Sequence, residues 1–152
     1  MISSAPNMDT QSWGVSLIEL MIALVIVGVL LVVSLPSYQQ HMMQARRALA
    51  RAELQEVAVR QEQFFLDHRR YAQTLRELGY PDDPSALDDQ GNTLASAQGG
   101  IYLIALIPEE NGYRVSAVSG QGYPDDTACG QLSLDALGMQ RFSGNGTAQQ
   151  CW

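Results

Sequence analysis

An acidic residue, Glu19, lies near the start of an almost unbroken apolar segment that continues to Leu35. A carboxylate at membrane depth costs about 2.5–3.5 kcal/mol on insertion scales, so its presence indicates a function and a partner for the charge. If the chain were cut between Gly14 and Val15, the new α-ammonium group of Val15 would lie one helical turn from Glu19. In a bundle of identical helices, the amine of one subunit could neutralise Glu19 of the next. The alternative is an ordinary membrane anchor in which Glu19 sits among the lipid headgroups.

The remaining residues give no pattern typical of catalysis. His41 and His68 fall at unrelated positions of a predicted helix, without a neighbouring nucleophile or metal-ligand set. The glycine pairs at 99–100 and 144–146 lack the strand–turn–helix context of a phosphate-binding loop. We therefore predict that the protein is not an enzyme and needs no cofactor or metal.

The two cysteines, Cys129 and Cys151, lie close to the C-terminus. If the C-terminal part is exported, an oxidising compartment favours one disulfide, which would stabilise the fold by roughly 3 kcal/mol in the chain-entropy model. Two free thiols are the alternative. Metal binding is disfavoured because neither cysteine has a second Cys or a His at ligand spacing.

Charge is distributed unevenly along the 152 residues, whose formal net charge is −7. Residues 37–76 hold seven Arg against four acidic residues, whereas residues 77–152 hold ten acidic residues against two Arg. All nine basic residues are Arg and none is Lys. Because general phosphate binding needs a basic stripe, the acidic distal half argues against a nucleic-acid partner.

Four segments are predicted. Residues 1–14 are polar and are interpreted as a leader peptide that is removed. Residues 15–36 are about 33 Å long as a helix, enough to cross a bilayer core. Within them, Gly28 weakens the helix by about 1 kcal/mol relative to Ala, and Pro36 removes a backbone donor, so a kink or a locally opened stretch is expected. A small-residue contact at Gly28 and an inert kink at Pro36 are the alternative.

Residues 37–70 continue the helix, since no Gly or Pro interrupts their good helix formers. Their apolar residues fall on two sides of the helix, which implies two separate surfaces for the helix to pack against. One side contains Leu54, Val57, Ala58 and Phe65, and would suit the protein's own sheet. The other side, rich in alanine, would suit neighbouring subunits; its members are Ala45, Ala48, Leu49, Ala52, Val59 and Leu66.

Residues 71–152 form a predicted head. A short amphipathic turn at 74–78 ends at Gly79, and a polar loop follows at 82–99. Strand patterns occur at 101–107, 113–118, 129–135 and 139–142, separated by turns. The fold class is α+β: a long N-terminal α-helix, its first half membrane-spanning, packed on a three- to four-stranded antiparallel sheet.

These residues together resemble a type IV prepilin. Gly14 matches the residue before the cleavage site of that family, Val15 the new N-terminus and Glu19 its acidic residue. Gly28 and Pro36 fall where the family's filament-forming helix has its glycine and proline. The head resembles PilE-type minor pilins in the stretches RQEQFF at 60–65, RYA at 70–72, CGQLSLD at 129–135 and CW at 151–152.

The resemblance implies a pilin fold and a set of partners. A prepilin peptidase would cut after Gly14 and N-methylate Val15, and an inner-membrane machine would extract the chain from the membrane into a fibre of pilin subunits. Glu19 would pair with a neighbour's N-terminal amine. Cys129 and Cys151 would bracket a variable loop exposed on the fibre.

The predicted function is therefore a type IV pilus subunit, more minor than major, found in the inner membrane before assembly and in an extracellular fibre afterwards. Such a fibre supports twitching motility, adhesion or DNA uptake. One rival is a type II secretion pseudopilin, in which the acidic pairs at 82–83, 88–89 and 125–126 would leave room for calcium, although no loop has a complete ligand spacing. A weaker rival is a DNA receptor at a pilus tip, which would need an Arg-rich exposed loop.

Overall fold

The computed structural model describes residues 16–152, without the side chains of residues 33–37. The chain divides into two compact units on either side of the bond between Gln39 and Gln40. One long helix, α1 (Leu17–His68), passes through this boundary. The predicted leader, residues 1–14, lies outside the described residues.

In the first unit, α1 carries apolar side chains on all of its sides. Each large apolar side chain from Leu17 to Val32 is at least 51% exposed in the single chain. A helix that is hydrophobic all round is normally covered by protein or by lipid, because so much apolar surface is unfavourable in water.

Within the part of the chain that the structure describes, no helix combines the length and hydropathy needed to cross a membrane. The predicted span, 15–36, includes Val15 and side chains at 33–36 that lie outside this description.

In the second unit, α1 buries one face. Its buried positions are three or four residues apart, as one side of a helix requires. They are Arg47, Ala50, Leu54, Val57 and Gln61. The apolar members join one hydrophobic cluster with the strands of the sheet. The interpretation that the side containing Leu54 and Val57 packs on the sheet is confirmed.

Most of the second predicted face of this helix is exposed among the described residues. Val59 is 52% exposed and Leu66 is 68% exposed. The alanines on that side are also exposed, whereas Leu49 packs partly against the core: the exposed alanines are Ala45, Ala48 and Ala52. That neighbouring subunits cover this face stays a prediction.

The sheet has six antiparallel strands in the order β2-β1-β3-β4-β5-β6. The strands are β1 (Ser85–Leu87), β2 (Thr93–Leu94), β3 (Tyr102–Glu109), β4 (Gly112–Ser119), β5 (Leu132–Asp135) and β6 (Gln140–Phe142). A four-residue helix, α2 (Ala148–Cys151), ends the chain next to Trp152. With α1 on one face of the sheet, the fold is α+β, as predicted.

The central strands form because their apolar residues alternate, which places every second side chain on the buried face. In β4, Tyr113, Val115 and Ala117 are at most 2% exposed. In β5, Leu132 and Leu134 face the same core. The four predicted strands therefore correspond to β3–β6, with the β3–β4 hairpin closed by the pairing of Glu109 with Gly112.

Two short strands, β1 and β2, were not predicted, so the sheet is larger than the three to four strands expected. They lie in the segment interpreted as a polar loop at 82–99. All three residues of β1 are buried because the strand pairs with both β2 and β3. The predicted turn before them is a 3₁₀ helix, Leu75–Leu78, with Thr74 at its N-cap and Gly79 at φ +86° at its C-cap.

Candidate functional site

The predicted cleavage site, Gly14 and Val15, lies outside the described residues, and its role stays a prediction. Glu19 lies in the first turn of α1 and is exposed in the single chain. The dipole of a helix stabilises a carboxylate in its first turn by about 0.3–1 kcal/mol. This is well below the cost of about 2.5–3.5 kcal/mol for an acidic residue at membrane depth. The helix dipole alone therefore does not account for Glu19 in an apolar segment.

Gly28 and Pro36 both lie inside α1. A Cβ atom built at Gly28 would meet nothing within 4 Å, so this glycine is not required by packing within the chain. Helix continues through Pro36, and the locally opened stretch that was expected there is not present in this structure. A role for either residue in bending or stretching during assembly stays a prediction.

Cys129 and Cys151 form a disulfide with a Cα–Cα distance of 5.4 Å, and both residues are fully buried. The bracketed segment, 130–150, is more than a surface loop. It contains β5 and β6, and Leu132 of β5 is fully buried in the core. The disulfide therefore ties two strands of the sheet, together with the turns between them, to the C-terminus.

A buried ion pair, which the sequence did not reveal, attaches this C-terminal region to α1. Arg47 donates from Nε and Nη2 to the two carboxylate oxygens of Asp126, at 2.5 and 2.7 Å. The side chains are only 10% and 2% exposed. Arg47 Nη1 also donates to the carbonyl oxygen of Gln150, at 3.4 Å, and the backbone N–H of Cys129 donates to Asp126. One guanidinium group thus contacts both segments that the disulfide joins.

The electrostatics of this pair favour its charged form. Burial acts to raise the pKa of Asp126, but hydrogen bonds from Arg47 and from the Cys129 N–H outweigh it, and the pKa is lowered. The hydrogen bond to Asp126 raises the pKa of Arg47 against the opposing effect of burial. Next to the pair, the guanidinium of Arg46 lies 5.0 Å from the ring centre of Tyr123, which also ties the segment before Asp126 to α1.

A second attachment joins α1 to the segment between α1 and β1. Gln61, fully buried, donates from Nε2 to the carbonyl oxygen of Ala72 at 3.1 Å and accepts from the Ala72 N–H at 2.9 Å. The Gln61 side-chain amide thus satisfies both the N–H and the carbonyl oxygen of Ala72, as a neighbouring backbone would in a sheet. Leu75 and Leu78 then complete the apolar layer beneath this segment.

The acidic pairs considered for calcium mostly have other partners. Asp82 accepts from Arg76, at 2.7 Å, and Asp126 is held by Arg47. Asp88 accepts from the backbone N–H groups of Gln90 and Asn92, which closes the turn between β1 and β2. Across residues 16–152, no three His, Cys, Asp or Glu side chains come together as a metal site.

Most of the positive charge is neutralised by neighbouring carboxylates. In the described part of the chain, six of the nine arginines lie in ion pairs. The arginines outside these pairs are Arg46, Arg51 and Arg69, all on α1 or directly after it. The second unit thus combines a head held to the second half of α1 by buried polar contacts with little free positive charge among its described residues.

Comparison with known proteins identifies the family. A family model described as type IV minor pilin ComP, DNA uptake sequence receptor, matches residues 36–133. The chain belongs to this type IV pilin family. It is 38% identical over 129 residues to the type IV major pilin protein PilE1 of Neisseria gonorrhoeae, covering 84% of this chain and 64% of that protein. It is 28% identical over 112 residues to the type IV major pilin protein PilA of Myxococcus xanthus (strain DK1622), covering 74% of this chain and 40% of that protein.

This pilin thus spans less than two thirds of the length of these relatives. The resemblance to prepilins seen in the sequence is confirmed, and so is the pilin fold. The match to the family model begins at residue 36, after the apolar helix, so it rests on the head and on the second half of α1.

Proposed function

We propose that this pilin is a minor subunit of a type IV pilus that is assembled through the first half of α1 into a surface fibre. The observation that carries this proposal is the apolar helix surface of residues 17–32, whose large apolar side chains are at least 51% exposed among the described residues. Packing this surface against the same helix of neighbouring subunits would remove it from water and give Glu19 a partner of opposite charge.

Before assembly, the chain would be held in the inner membrane by the same helix, with the head outside the cytoplasm. Prepilin peptidase would cut after Gly14 and methylate the amine of Val15, and the assembly machinery would move the mature subunit from the membrane to the fibre. Twitching motility, adhesion or DNA uptake would depend on this fibre.

The first experiment is mass spectrometry of the protein N-terminus, from whole cells and from a sheared surface fraction. A chain that begins at N-methylated Val15 and is present in sheared fibres supports the proposal. An uncut leader in cells that process other pilins contradicts it. Replacing Gly14 with a bulky residue should block the cut.

The charge-pairing role of Glu19 is tested by Glu19→Ala, with Asp67→Ala as the control because Asp67 is an exposed carboxylate of the same helix. We expect Glu19→Ala to reach the membrane normally and to be reduced in sheared fibres, while Asp67→Ala assembles like the wild type. Normal incorporation of Glu19→Ala would refute the charge pair.

The rival from secretion, a type II pseudopilin, would share the leader and helix but would remain in a short periplasmic piston. It predicts absence from sheared fibres, loss of secretion in a deletion strain, and a head whose thermal stability rises when calcium is added. A pilus subunit instead predicts presence in sheared fibres, unchanged secretion in the deletion strain, and a thermal stability of the head that does not rise with calcium.

The second candidate function, DNA binding, is favoured by the description of the matching family model. Three arginines of the described residues, Arg46, Arg51 and Arg69, lie outside ion pairs, so few are available for DNA phosphates. Three phosphate contacts would give a slope of only about −3 in a plot of log K against log salt concentration. Fluorescence anisotropy of duplex DNA with the full-length chain in neutral detergent tests this. Retention that weakens with salt, and that is lost in an Arg51→Ala, Arg69→Ala double variant, would establish the DNA receptor.

A further inference from the structure

The two cysteines of the head each lie in a short segment that is ordered by its own backbone contacts. The N–H of Cys129 donates to the Asp126 carboxylate at 3.1 Å, and the N–H of Gly130 donates to the Asp126 carbonyl oxygen at 2.5 Å. Cys151 ends α2, and its N–H donates to the carbonyl oxygen of Thr147 at 3.2 Å. These contacts fix the backbone around each cysteine, but they do not set the distance between the two segments.

Two contacts hold the chain on either side of α2. Before it, the N–H of Gly146 donates to the carbonyl oxygen of Ala128 at 2.7 Å. After it, the indole Nε1 of Trp152 donates to the carbonyl oxygen of Arg141, in β6, at 3.1 Å. The placement of α2, which carries Cys151, also depends on a contact with α1.

The contact with α1 is made by Arg47, which reaches both cysteine segments. Its Nη1 donates to the carbonyl oxygen of Gln150, next to Cys151, at 3.4 Å. Its Nε and Nη2 donate to the carboxylate of Asp126, which lies three residues before Cys129. Because a guanidinium is a planar fork with donors in fixed directions, one side chain can hold both segments at once. Arg47 belongs to α1, so this link exists only when the helix is docked on the head.

We propose that Arg47 positions the thiols of Cys129 and Cys151 for oxidation, so that the disulfide closes after α1 has docked on the head. In the reaction, one cysteine thiolate attacks a disulfide oxidant, forms a mixed disulfide and releases one thiol of the oxidant. The second cysteine thiolate then attacks the bonded cysteine sulfur and releases the other thiol. The two cysteines lose two electrons and two protons, and the oxidant takes up both.

The second step is intramolecular, so it depends on the effective concentration of one thiol near the other. The cysteines are 22 positions apart, and the ends of a flexible loop of this length meet at an entropic cost. Contacts that already hold the two segments together in the reduced head raise the effective concentration. The Arg47 and Asp126 side chains are only 10% and 2% exposed, so water competes weakly for their hydrogen bonds.

The test measures the equilibrium constant between dithiol and disulfide in mixtures of reduced and oxidised glutathione. The full-length chain is used in a neutral detergent; acid stops the exchange, and the free thiols are then alkylated and counted by mass spectrometry. Since the chain has two cysteines, a single dithiol–disulfide couple is observed. The constant reports the effective concentration of the thiols. We expect Arg47→Ala to lower it by about tenfold or more.

Gln61→Leu is the matched control. Gln61 is a fully buried polar side chain of the same helix, and its hydrogen bonds hold Ala72, not a cysteine segment. The variant therefore weakens the attachment of the head to α1 and leaves the contacts of Arg47 in place. Its equilibrium constant should stay within about threefold of the wild type.

Two milder variants carry the test if Arg47→Ala does not fold. Asp126→Asn keeps an oxygen for the Cys129 N–H but loses the charge, so the constant should fall less than in Arg47→Ala. Arg47→Lys keeps the positive charge, but an ammonium lacks the fork that reaches both segments, so it should recover only part of the loss.

The proposal is overturned if Arg47→Ala or, where that variant does not fold, Asp126→Asn gives the wild-type equilibrium constant. It is also overturned if Gln61→Leu lowers the constant as much as the Arg47 variants do, because Arg47 would then act only through the overall stability of the head. A loss confined to the variants of Arg47 and Asp126 supports it.

Discussion

The ion pair between Arg47 and Asp126 should be the most sensitive contact of the head to mutation. In Arg47→Ala, the carboxylate of Asp126 stays buried, with a side chain only 2% exposed, and loses both of its guanidinium hydrogen bonds. Removing one partner of a buried pair destabilises a protein by about 3–5 kcal/mol, because the other charge is left uncompensated. For a domain of this size the midpoint of thermal unfolding should fall by at least about 12 °C.

The exposed pair of Arg70 with Glu77 provides a matched control. Their side chains are 52% and 34% exposed. Screening by water limits such a pair to about 0.2–1 kcal/mol, so Arg70→Ala should shift the midpoint only slightly. Near-ultraviolet circular dichroism of the full-length chain in neutral detergent, with the disulfide intact, measures both variants.

The pH dependence gives a separate check. The folded-state pKa of Asp126 lies below its unfolded value of about 3.9, so the stabilisation is present above that pH and is lost as the pH falls through the folded pKa. The difference in stability between wild type and Arg47→Ala should therefore be largest near neutral pH and should shrink below about pH 4. The double variant Arg47→Met, Asp126→Leu should recover most of the loss, because it removes both charges.

Two results would refute this reasoning. One is an Arg47→Ala variant that loses no more stability than Arg70→Ala at neutral pH. The other is a loss that stays constant down to about pH 3, which would assign the effect of Arg47 to packing rather than to charge.

Further predictions concern the disulfide, the attachment of the segment before β1, and one glycine. Replacing Cys129 and Cys151 together by Ser should lower the free energy of unfolding by roughly 3 kcal/mol, measured by urea denaturation with and without reductant, and reductant should have no effect on the variant. Gln61→Leu should cost about 2–4 kcal/mol in the same assay, since both polar groups of Ala72 lose their partner. Gly120→Ala should lower the thermal midpoint because the new methyl group would overlap a backbone carbonyl of the facing segment; a midpoint equal to the wild type would contradict that close approach.

Much of the fold could be predicted from local patterns. Alternation of apolar residues identified β4 and β5, because a strand that covers a core must place every second side chain inward. Thr74 and Gly79 marked the short helix between them, since capping is a property of a few adjacent residues. The Cys129–Cys151 pair could be proposed because the chain contains only two cysteines.

The sequence could not predict β1 and β2 in the same way. They contain three and two residues, too few for a periodic pattern, and they exist because β3 offers a free edge to β1. The same limit applies to α2, which is a single turn bounded by the disulfide. Short elements of this kind depend on long-range pairing instead of local propensity.

The sequence by itself determined the long helix, the apolar surface of its first half, the central strands and the family resemblance. Each of these depends on residues near one another in the chain. Only the tertiary structure decided which polar residues became internal partners. Arg47 and Asp126 are 79 positions apart, and nothing in their local sequence distinguishes them from the arginines and aspartates that remain on the surface.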